Sequence, residues 1–192
     1  PNLGIVAITS GSGFETLFRD LGCHATVPCD WTMNPSTQEI LEAADRTGAL
    51  EVAILCNDPN AVMTVNQAST LSQRTIHCLP TSNMPEGVAS VLAYSPDIAP
   101  HKVLKSMDIA IKRVRVLEIT TAVRDSQTHG TRVSRGDFIG LYGGKIISSG
   151  NSIYEVLEDT LIKTDLTEAD ILTFYWGGAT TESEGNMIIE RL

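Results

Sequence analysis

The chain has 192 residues, of which 42% are hydrophobic and 19% charged, and its net charge is −9 with an isoelectric point near 4.8. This composition is typical of a globular protein with one large domain or two small lobes. The acidic balance argues against nucleic acid or anionic membrane as the main partner, because both bind basic surfaces. No apolar stretch reaches the roughly 20 residues of a transmembrane helix, so we expect a cytoplasmic protein without an integral membrane segment.

The first half of the chain alternates strand and helix patterns. Residues 3–8 form an uninterrupted apolar run, as expected for a strand buried on both faces. The predicted strands are residues 3–8, 25–28, 52–56 and 75–79. The predicted helices, with apolar residues at helical spacing, are residues 14–21, 36–47, 60–71 and 84–94. Strands that alternate with such helices predict an α/β lobe with a parallel sheet over residues 1–97.

The pattern changes near Pro96, and residues 98–192 predict a smaller α+β lobe with antiparallel strands. A Gly-Gly pair after Tyr142 is a hairpin turn signal, and Thr181 with Glu184 predicts a capping box that opens a final helix. The predicted helices of this half are residues 101–114, 152–161 and 181–192. The predicted strands are residues 116–120, 138–141, 145–148 and 171–175.

The cysteine and histidine spacing argues against metal and nucleophile chemistry. The four cysteines, expected to be buried free thiols, are Cys23, Cys29, Cys56 and Cys78. None forms a Cys-x-x-Cys pair, and their spacing to the nearest histidine matches no zinc pattern. The four histidines, expected to be structural or on the surface, are His24, His77, His101 and His129. Neither a Ser-His-Asp pattern nor a Gly-x-Ser-x-Gly motif is present, so no catalytic residue and no metal site is predicted.

A dense polar motif, Thr32-Met33-Asn34-Pro35-Ser36-Thr37, stands where the second strand meets the second helix. Pro35 keeps Asn34 out of the right-handed helical region, and Ser36 with Glu39 predicts a capping box. A helix start accounts for these features but not for the number of polar side chains, and ligands and partners bind at such strand ends in open α/β sheets. The candidate binding residues at this edge are Thr32, Asn34, Ser36, Thr37, Asn57 and Thr81.

The loop after the first strand, Ser10-Gly11-Ser12-Gly13, opens a helix. The free backbone N–H groups and the helix dipole at such a start favour an anion. The loop is not a Walker motif, because no Lys-Ser/Thr follows, and it is not a dinucleotide fingerprint, because Thr16 stands at the last glycine position. A tight strand-to-helix turn and an anion-binding loop both stay open.

Several motifs follow one another along the chain. They are Gly4-Ile5-Val6-Ala7-Ile8, Thr32-Met33-Asn34-Pro35-Ser36-Thr37, Asn57, Leu79-Pro80-Thr81-Ser82-Asn83-Met84-Pro85-Glu86-Gly87-Val88-Ala89, Ala122-Val123-Arg124-Asp125, and Gly136-Asp137-Phe138-Ile139-Gly140 with Gly144-Lys145-Ile146. In this order they resemble the C-terminal region of the bacterial fatty acid kinase ATP-binding subunit, which is also described as dihydroxyacetone-kinase-like or as a DAK2-domain protein. The resemblance covers residues 3–192.

The resemblance implies a DegV-like fold, the fold of the separate subunit that carries the fatty acid. In the family, ATP and Mg²⁺ are bound by an N-terminal kinase-like domain, so no cofactor is expected in this region. The two subunits together convert a fatty acid to an acyl phosphate for phospholipid synthesis. This region is then a non-catalytic domain that docks the fatty-acid-carrying subunit, and a homodimer stays open. Because the family continues past the last helix into a further strand, an incomplete sheet edge and a second lobe truncated at its C-terminal end both stay open.

Two other functions stay open. DegV-type relatives fix the carboxylate of a fatty acid with hydroxyl-bearing loops, so the chain could itself bind a lipid or small carboxylate through Thr32, Ser36 and Arg124. A phosphatase is the third reading, although neither metal-ligand spacing nor a nucleophile supports it. Where the family usually has Gly-Gly-Gln before the polar motif, this chain has Cys29-Asp30-Trp31. This lead-in is bulkier, so a pocket that it narrows or fills stays open as an alternative.

Overall fold

The computed structural model describes residues 1–128, 131–166, 169–178 and 180–191. It divides into two compact units, Pro1–Arg115 and Val116–Leu192. The first unit contains, in chain order, β1 (Gly4–Ser10), α1 (Ser12–Asp20), β2 (Ala25–Cys29), α2 (Thr37–Arg46), β3 (Glu51–Leu55), α3 (Pro59–Leu71), β4 (Thr75–Leu79), α4 (Met84–Leu92) and α5 (Pro100–Arg113). The second unit contains β5 (Leu117–Thr121), β6 (Ser126–Thr128), β7 (Thr131–Val133), β8 (Phe138–Tyr142), β9 (Lys145–Gly150), α6 (Ile153–Lys163) and α7 (Glu182–Glu190).

Residues 1–115, all of which the structure describes, are built around a parallel four-stranded sheet. The strand order is β2-β1-β3-β4, and every neighbouring pair is parallel. β1 lies inside the sheet and is buried from Gly4 to Thr9, which explains why its apolar run is uninterrupted. The α/β class with a parallel sheet, predicted from the sequence, is confirmed.

Helices cover both faces of this sheet. The core on one face includes side chains of α2 and α3, namely Ile40, Ala43, Ala44, Ala61, Val65 and Ala68. The core on the other face includes side chains of α1, α4 and α5, namely Phe18, Val88, Val91, Val103 and Met107. Helices α1 to α4 each follow a strand of this sheet, so their N-termini lie at the carboxyl edge of the sheet.

Helix α5 belongs to the first unit. The sequence pattern places the change of lobe at residue 97, ahead of this helix, whereas the structural division lies after Arg115. The reason is that α5 buries Val103 and Met107 in the core that α1 and α4 also cover. The apolar spacing of α5 identifies a helix, but spacing alone does not tell which sheet the helix covers.

The described part of the second unit contains an antiparallel sheet of order β5-β8-β9 and a two-stranded ladder of β6 with β7. The hairpin between β8 and β9 turns at Gly143 and Gly144, whose φ angles are 57° and 74°. Positive φ at both positions is the reason for the Gly-Gly signal. The predicted antiparallel pairing is therefore confirmed.

The contact of α6 with β8 and β9 depends on a glycine. Ser148 Oγ lies 2.5 Å from Thr160 Oγ1, which donates a hydrogen bond to the Val156 carbonyl oxygen at 2.5 Å. A Cβ atom at Gly140 would overlap both hydroxyl oxygens. Only glycine leaves room at this position for the buried hydroxyl pair beneath the helix.

Two predictions for the second unit need correction or fall outside the described residues. Residues 171–175 form no strand with any described part of the chain, and the Ile171 side chain is exposed. The segment has the apolar content of a strand but does not adopt strand conformation, and Trp176, which follows it, packs against Gly185 of α7. The capping box of Thr181 with Glu184 is confirmed. His129 and the last residue of the predicted final helix lie outside the described residues.

No helix in the described ranges is both long enough and apolar enough to span a membrane.

Candidate functional site at the carboxyl edge of the parallel sheet

The strand order reverses at the centre of the first sheet. β2 lies on one side of β1 and β3 on the other, and open α/β sheets bind ligands at the carboxyl edge beside such a reversal. The predicted site residues reach this edge from three loops: Thr32, Asn34 and Ser36 after β2 with Thr37 opening α2, Asn57 after β3, and Thr81 after β4. The parallel sheet thus brings these six residues to one edge.

Asn57 closes the space between β1 and β3. Its side-chain Nδ2 donates to the Ile8 carbonyl oxygen at 2.8 Å, and its Oδ1 accepts a bond from Thr81 Oγ1 at 2.9 Å. Its backbone N–H donates to the same Thr81 oxygen at 2.8 Å. Both residues are buried, and a Cβ atom at Gly87 of α4 would overlap Asn57 Oδ1. The polar groups of Asn57 therefore face protein rather than an open site.

The hydroxyl groups of the loop after β2 donate to the chain's own carboxylates. Thr32 donates to Asp30 Oδ1 from its hydroxyl at 2.5 Å and from its N–H at 2.8 Å. Ser36 donates to Glu39 Oε2 from its hydroxyl at 2.7 Å and from its N–H at 2.8 Å. The Glu39 N–H donates back to Ser36 Oγ at 3.2 Å, so the predicted capping box is confirmed. The bonds from Thr32 and from Ser36 hold the pKa values of Asp30 and Glu39 below their usual values.

The carboxyl edge is acidic. Its loops, within the fully described first unit, are residues 9–13, 28–39, 56–60 and 80–86, and they contain no Lys or Arg. Their carboxylates are Asp30, Glu39, Asp58 and Glu86. A ligand carboxylate would meet like charges here, together with hydroxyl groups whose protons already point at other carboxylates. This arrangement does not favour binding of a fatty acid carboxylate by Thr32 and Ser36.

Trp31 faces solvent, so its side chain fills no pocket within the first unit. Trp31 is 87% exposed, whereas Met33 is buried in the core beneath α2 and α3. The Met33 backbone has a φ of 49°, a left-handed conformation that turns the chain between the two side chains. Trp31 stands in the sequence as a bulky residue before the polar motif, and a large apolar side chain in a polar loop is also the signal of an exposed contact residue.

The loop after β1 has the features of a tight turn. Gly11 has a φ of 83°, and no side chain in the described residues caps the first turn of α1. Thr9 Oγ1 is buried and has no hydrogen-bond partner among the described residues. Glu15 in the first turn of α1 already places a carboxylate near the helix start, where it pairs with Arg19 at 2.5 Å. Anion binding at this loop stays a prediction.

Arg124 lies in the second unit, in the exposed turn between β5 and β6. The turn adjoins a cavity of about 400 Å³ whose lining residues are Asp125, Ser126, Gln127, Arg132 and Val133. A second cavity, of about 140 Å³, is lined by Tyr154, Leu157, Glu158, Ile188 and Arg191. The first lining is mostly polar and the second cavity is small, so neither has the long apolar shape that an acyl chain requires.

Two pairs of titratable side chains in the first unit contact each other. His77 Nε2 lies 2.9 Å from Glu51 Oε2, and the thiols of Cys56 and Cys78 lie 3.5 Å apart. Burial raises the pKa of Cys23 to about 12. All four cysteines fall within the described residues 1–128 and are free. Across the described chain, no group of three or more His, Cys, Asp or Glu side chains is placed to hold a metal ion.

His24 makes the stability of the first unit depend on pH. Its Nδ1 accepts a hydrogen bond from the Ile5 N–H at 3.0 Å, so the ring binds in its neutral form. Partial burial lowers the pKa of His24 below 6.5. The bond is therefore fully present above pH 6.5 and is lost as the pH falls through the lowered pKa. We expect the urea midpoint of the first unit to fall with acidification less steeply in His24→Gln than in the unmodified protein.

The exposed His101 provides the matched control for this measurement, because His101→Gln removes a histidine without that backbone contact. The urea midpoints of His101→Gln, measured over the same pH range, are the reference for the effect of removing a histidine. Equal slopes for His24→Gln and the unmodified protein would show that the Ile5 bond does not couple stability to protonation.

Comparison with known proteins places this chain in a family. A family model for the C-terminal domain of FakA-like fatty acid kinase subunits matches residues 4–192. Protein YloV of Bacillus subtilis is 29% identical over 185 residues, which cover 96% of this chain and 34% of that protein. Uncharacterized proteins of Staphylococcus haemolyticus and Staphylococcus aureus are 30% and 27% identical over 97% of this chain, and the matches cover 34% and 35% of their own lengths. The chain spans about a third of the length of these relatives. It belongs to the family of C-terminal domains of FakA-like fatty acid kinase subunits.

Proposed function

We propose that the chain is a non-catalytic docking domain of a fatty acid kinase subunit. It binds the separate DegV-like subunit that carries the fatty acid, and a different domain of the same protein binds ATP and Mg²⁺ and forms the acyl phosphate. The family match over residues 4–192 supports a place in a kinase subunit. The relatives are about three times as long as the matched region, which is consistent with a catalytic domain elsewhere in such proteins.

The bond between Asn57 Nδ2 and the Ile8 carbonyl oxygen, at 2.8 Å, is the observation that carries this proposal. This bond lies at the carboxyl edge between β1 and β3, the position at which open α/β sheets commonly bind a ligand. The loops around it are acidic, and the described residues contain no metal-binding group of three or more side chains. Such an edge offers a folded surface to another protein rather than a pocket for chemistry.

Calorimetric titration tests this function. The DegV-like subunit of the same organism, loaded with fatty acid, is titrated into this chain without ATP. We expect a complex with a Kd on the order of 1 μM or tighter, and a lipid carrier from an unrelated family is expected not to bind. The absence of any heat of binding to the DegV-like subunit would overturn the proposal.

Native mass spectrometry separates docking from direct lipid binding. The chain is mixed with free fatty acid alone, and we expect no acyl chain to be retained. Retention of a fatty acid by this chain would assign the lipid to this domain instead of to its partner.

A further inference from the structure

Trp31 is presented to solvent by a loop of fixed conformation. The side chain is 87% exposed. Two contacts hold the loop on either side of Trp31. The Asp30 carboxylate accepts two hydrogen bonds from Thr32, and the Met33 side chain is buried in the core. A loop of fixed backbone conformation loses little backbone entropy when a partner covers it, and tryptophan is enriched at the energetic centres of protein interfaces.

One face of α3 continues the surface beside Trp31. Asn60, Met63 and Gln67 are three and four residues apart, so they share a face of the helix. Asn60 Nδ2 lies 3.5 Å from the Thr32 carbonyl oxygen, and Gln67 Oε1 lies 3.4 Å from Thr37 Oγ1. Met63 lies between these two contacts and is 81% exposed. The face therefore adjoins the loop that carries Trp31.

This part of the surface has an uncharged centre and an acidic margin. Residues 59–73, which include all of α3, contain no charged side chain, whereas the exposed face of a surface helix normally carries charges. The neighbouring loop and helix starts carry the carboxylates of Asp30, Glu39 and Asp58. The edge loops of the first unit contain no Lys or Arg to neutralise these charges. We call Trp31, Asn60, Met63 and Gln67, with these three carboxylates, the Trp31 surface.

We propose that the Trp31 surface docks a protein whose contact face has an apolar socket for Trp31, bordered by basic side chains. Under the function proposed above, on which this inference rests, that protein is the fatty-acid-carrying subunit. Apolar centres with charged margins are typical of protein interfaces, and opposite charges at the margin favour one partner over others. A second copy of this chain does not fit, because symmetric contact would bring two acidic margins together on molecules of net charge −9.

The test compares Trp31→Ala with a matched exposed apolar residue in the calorimetric titration of the fatty-acid-loaded DegV-like subunit. We expect Trp31→Ala to raise the Kd by about 30-fold and Met63→Ala by about 5-fold, the range of central and flanking interface residues. Leu50→Ala is the control, because Leu50 is 81% exposed but precedes β3 at the opposite edge of the sheet. It is expected to leave the Kd unchanged. Higher ionic strength is expected to weaken binding of the unmodified chain.

The outcomes separate this inference from the function on which it rests. If the unmodified chain does not bind, the proposed function fails and the docking surface fails with it. If the unmodified chain and Trp31→Ala bind equally well, the function stands and the Trp31 surface is rejected. If sedimentation shows that the unmodified chain is a dimer and that Trp31→Ala is a monomer, the Trp31 surface binds a second copy of the chain, and the inference is overturned. Circular dichroism verifies that each variant is folded, as expected for side chains that are more than four-fifths exposed.

Discussion

Replacing Asn57 with alanine is expected to lower the unfolding free energy of the first unit by about 3 to 5 kcal/mol. The variant removes the side-chain donor to the buried Ile8 carbonyl oxygen and the side-chain acceptor of the Thr81 hydroxyl, and it keeps only the backbone N–H bond to Thr81. It also places an alanine at a φ of 57°, where asparagine is tolerated better than other residues with a Cβ atom. The two effects add because one concerns the side chain and the other the backbone.

Hydrogen exchange of amides in β1 and β3, followed by mass spectrometry, measures this loss in the first unit separately from the second. Asn57→Gly removes the side-chain bonds but accepts the positive φ, so it is expected to be about 1 kcal/mol less destabilising than Asn57→Ala. Asn60→Ala, at an exposed asparagine in the first turn of α3, is the control and is expected to change the unfolding free energy little. If Asn57→Ala is as stable as the unmodified protein, the amide does not hold β1 to the neighbouring loops, and Asn57 is free to serve a ligand.

Replacing Gly140 with alanine is expected to lower the unfolding free energy of the second unit by about 3 kcal/mol. The added methyl group would overlap the hydroxyl oxygens of Thr160 and Ser148. These oxygens cannot simply turn away, because both are buried and hydrogen-bonded to each other, and Thr160 also bonds the Val156 carbonyl oxygen. We expect α6 to be displaced from β8 and β9 in this variant.

The measurement is the fluorescence of Trp176 during urea unfolding, because Trp176 lies in the second unit. Trp31, the other tryptophan of the chain, is replaced with phenylalanine in every variant so that the signal comes from the second unit alone. Gly150→Ala is the matched control, because its Cβ atom would lie 3.3 Å from Val156 Cγ2, a contact that a small shift relieves. When Ser148 and Thr160 are already replaced with alanine, Gly140→Ala is expected to lower the unfolding free energy of the second unit by a smaller amount. If Gly140→Ala in the otherwise unmodified second unit lowers the unfolding free energy no more than Gly150→Ala does, the overlap with the two hydroxyl groups is not what requires glycine at position 140.

The features that the sequence predicts correctly are those with local causes. The buried strand β1 is visible as an apolar run, because both of its faces are covered. The capping box of Ser36 with Glu39 depends on residues three positions apart, and the turn at Gly143 and Gly144 depends on the positive φ of two adjacent glycines. Neighbouring residues specify each of these features, so a single sequence is enough to find them.

The features that the sequence misses depend on distant partners. Residues 171–175 have a strand pattern, but a strand also needs a ladder with a second backbone, and the structure has no strand at these residues. Asn57 is visible as a polar residue after a strand, but its bond to Ile8 joins residues far apart in the chain. Its role in closing the sheet edge appears only when β1 and β3 are placed side by side. The exposure of Trp31 likewise follows from the burial of Met33 under two helices.

The rate of acyl phosphate formation by a complete fatty acid kinase, measured with this chain added in excess, tests the docking account most directly. The chain is expected to inhibit the reaction by binding the fatty-acid-carrying subunit, and additional carrying subunit is expected to restore the rate. Alone with ATP, Mg²⁺ and the loaded carrying subunit, the chain is expected to form no acyl phosphate. An unchanged rate in the presence of excess chain, or acyl phosphate formed by the chain alone, would contradict the account.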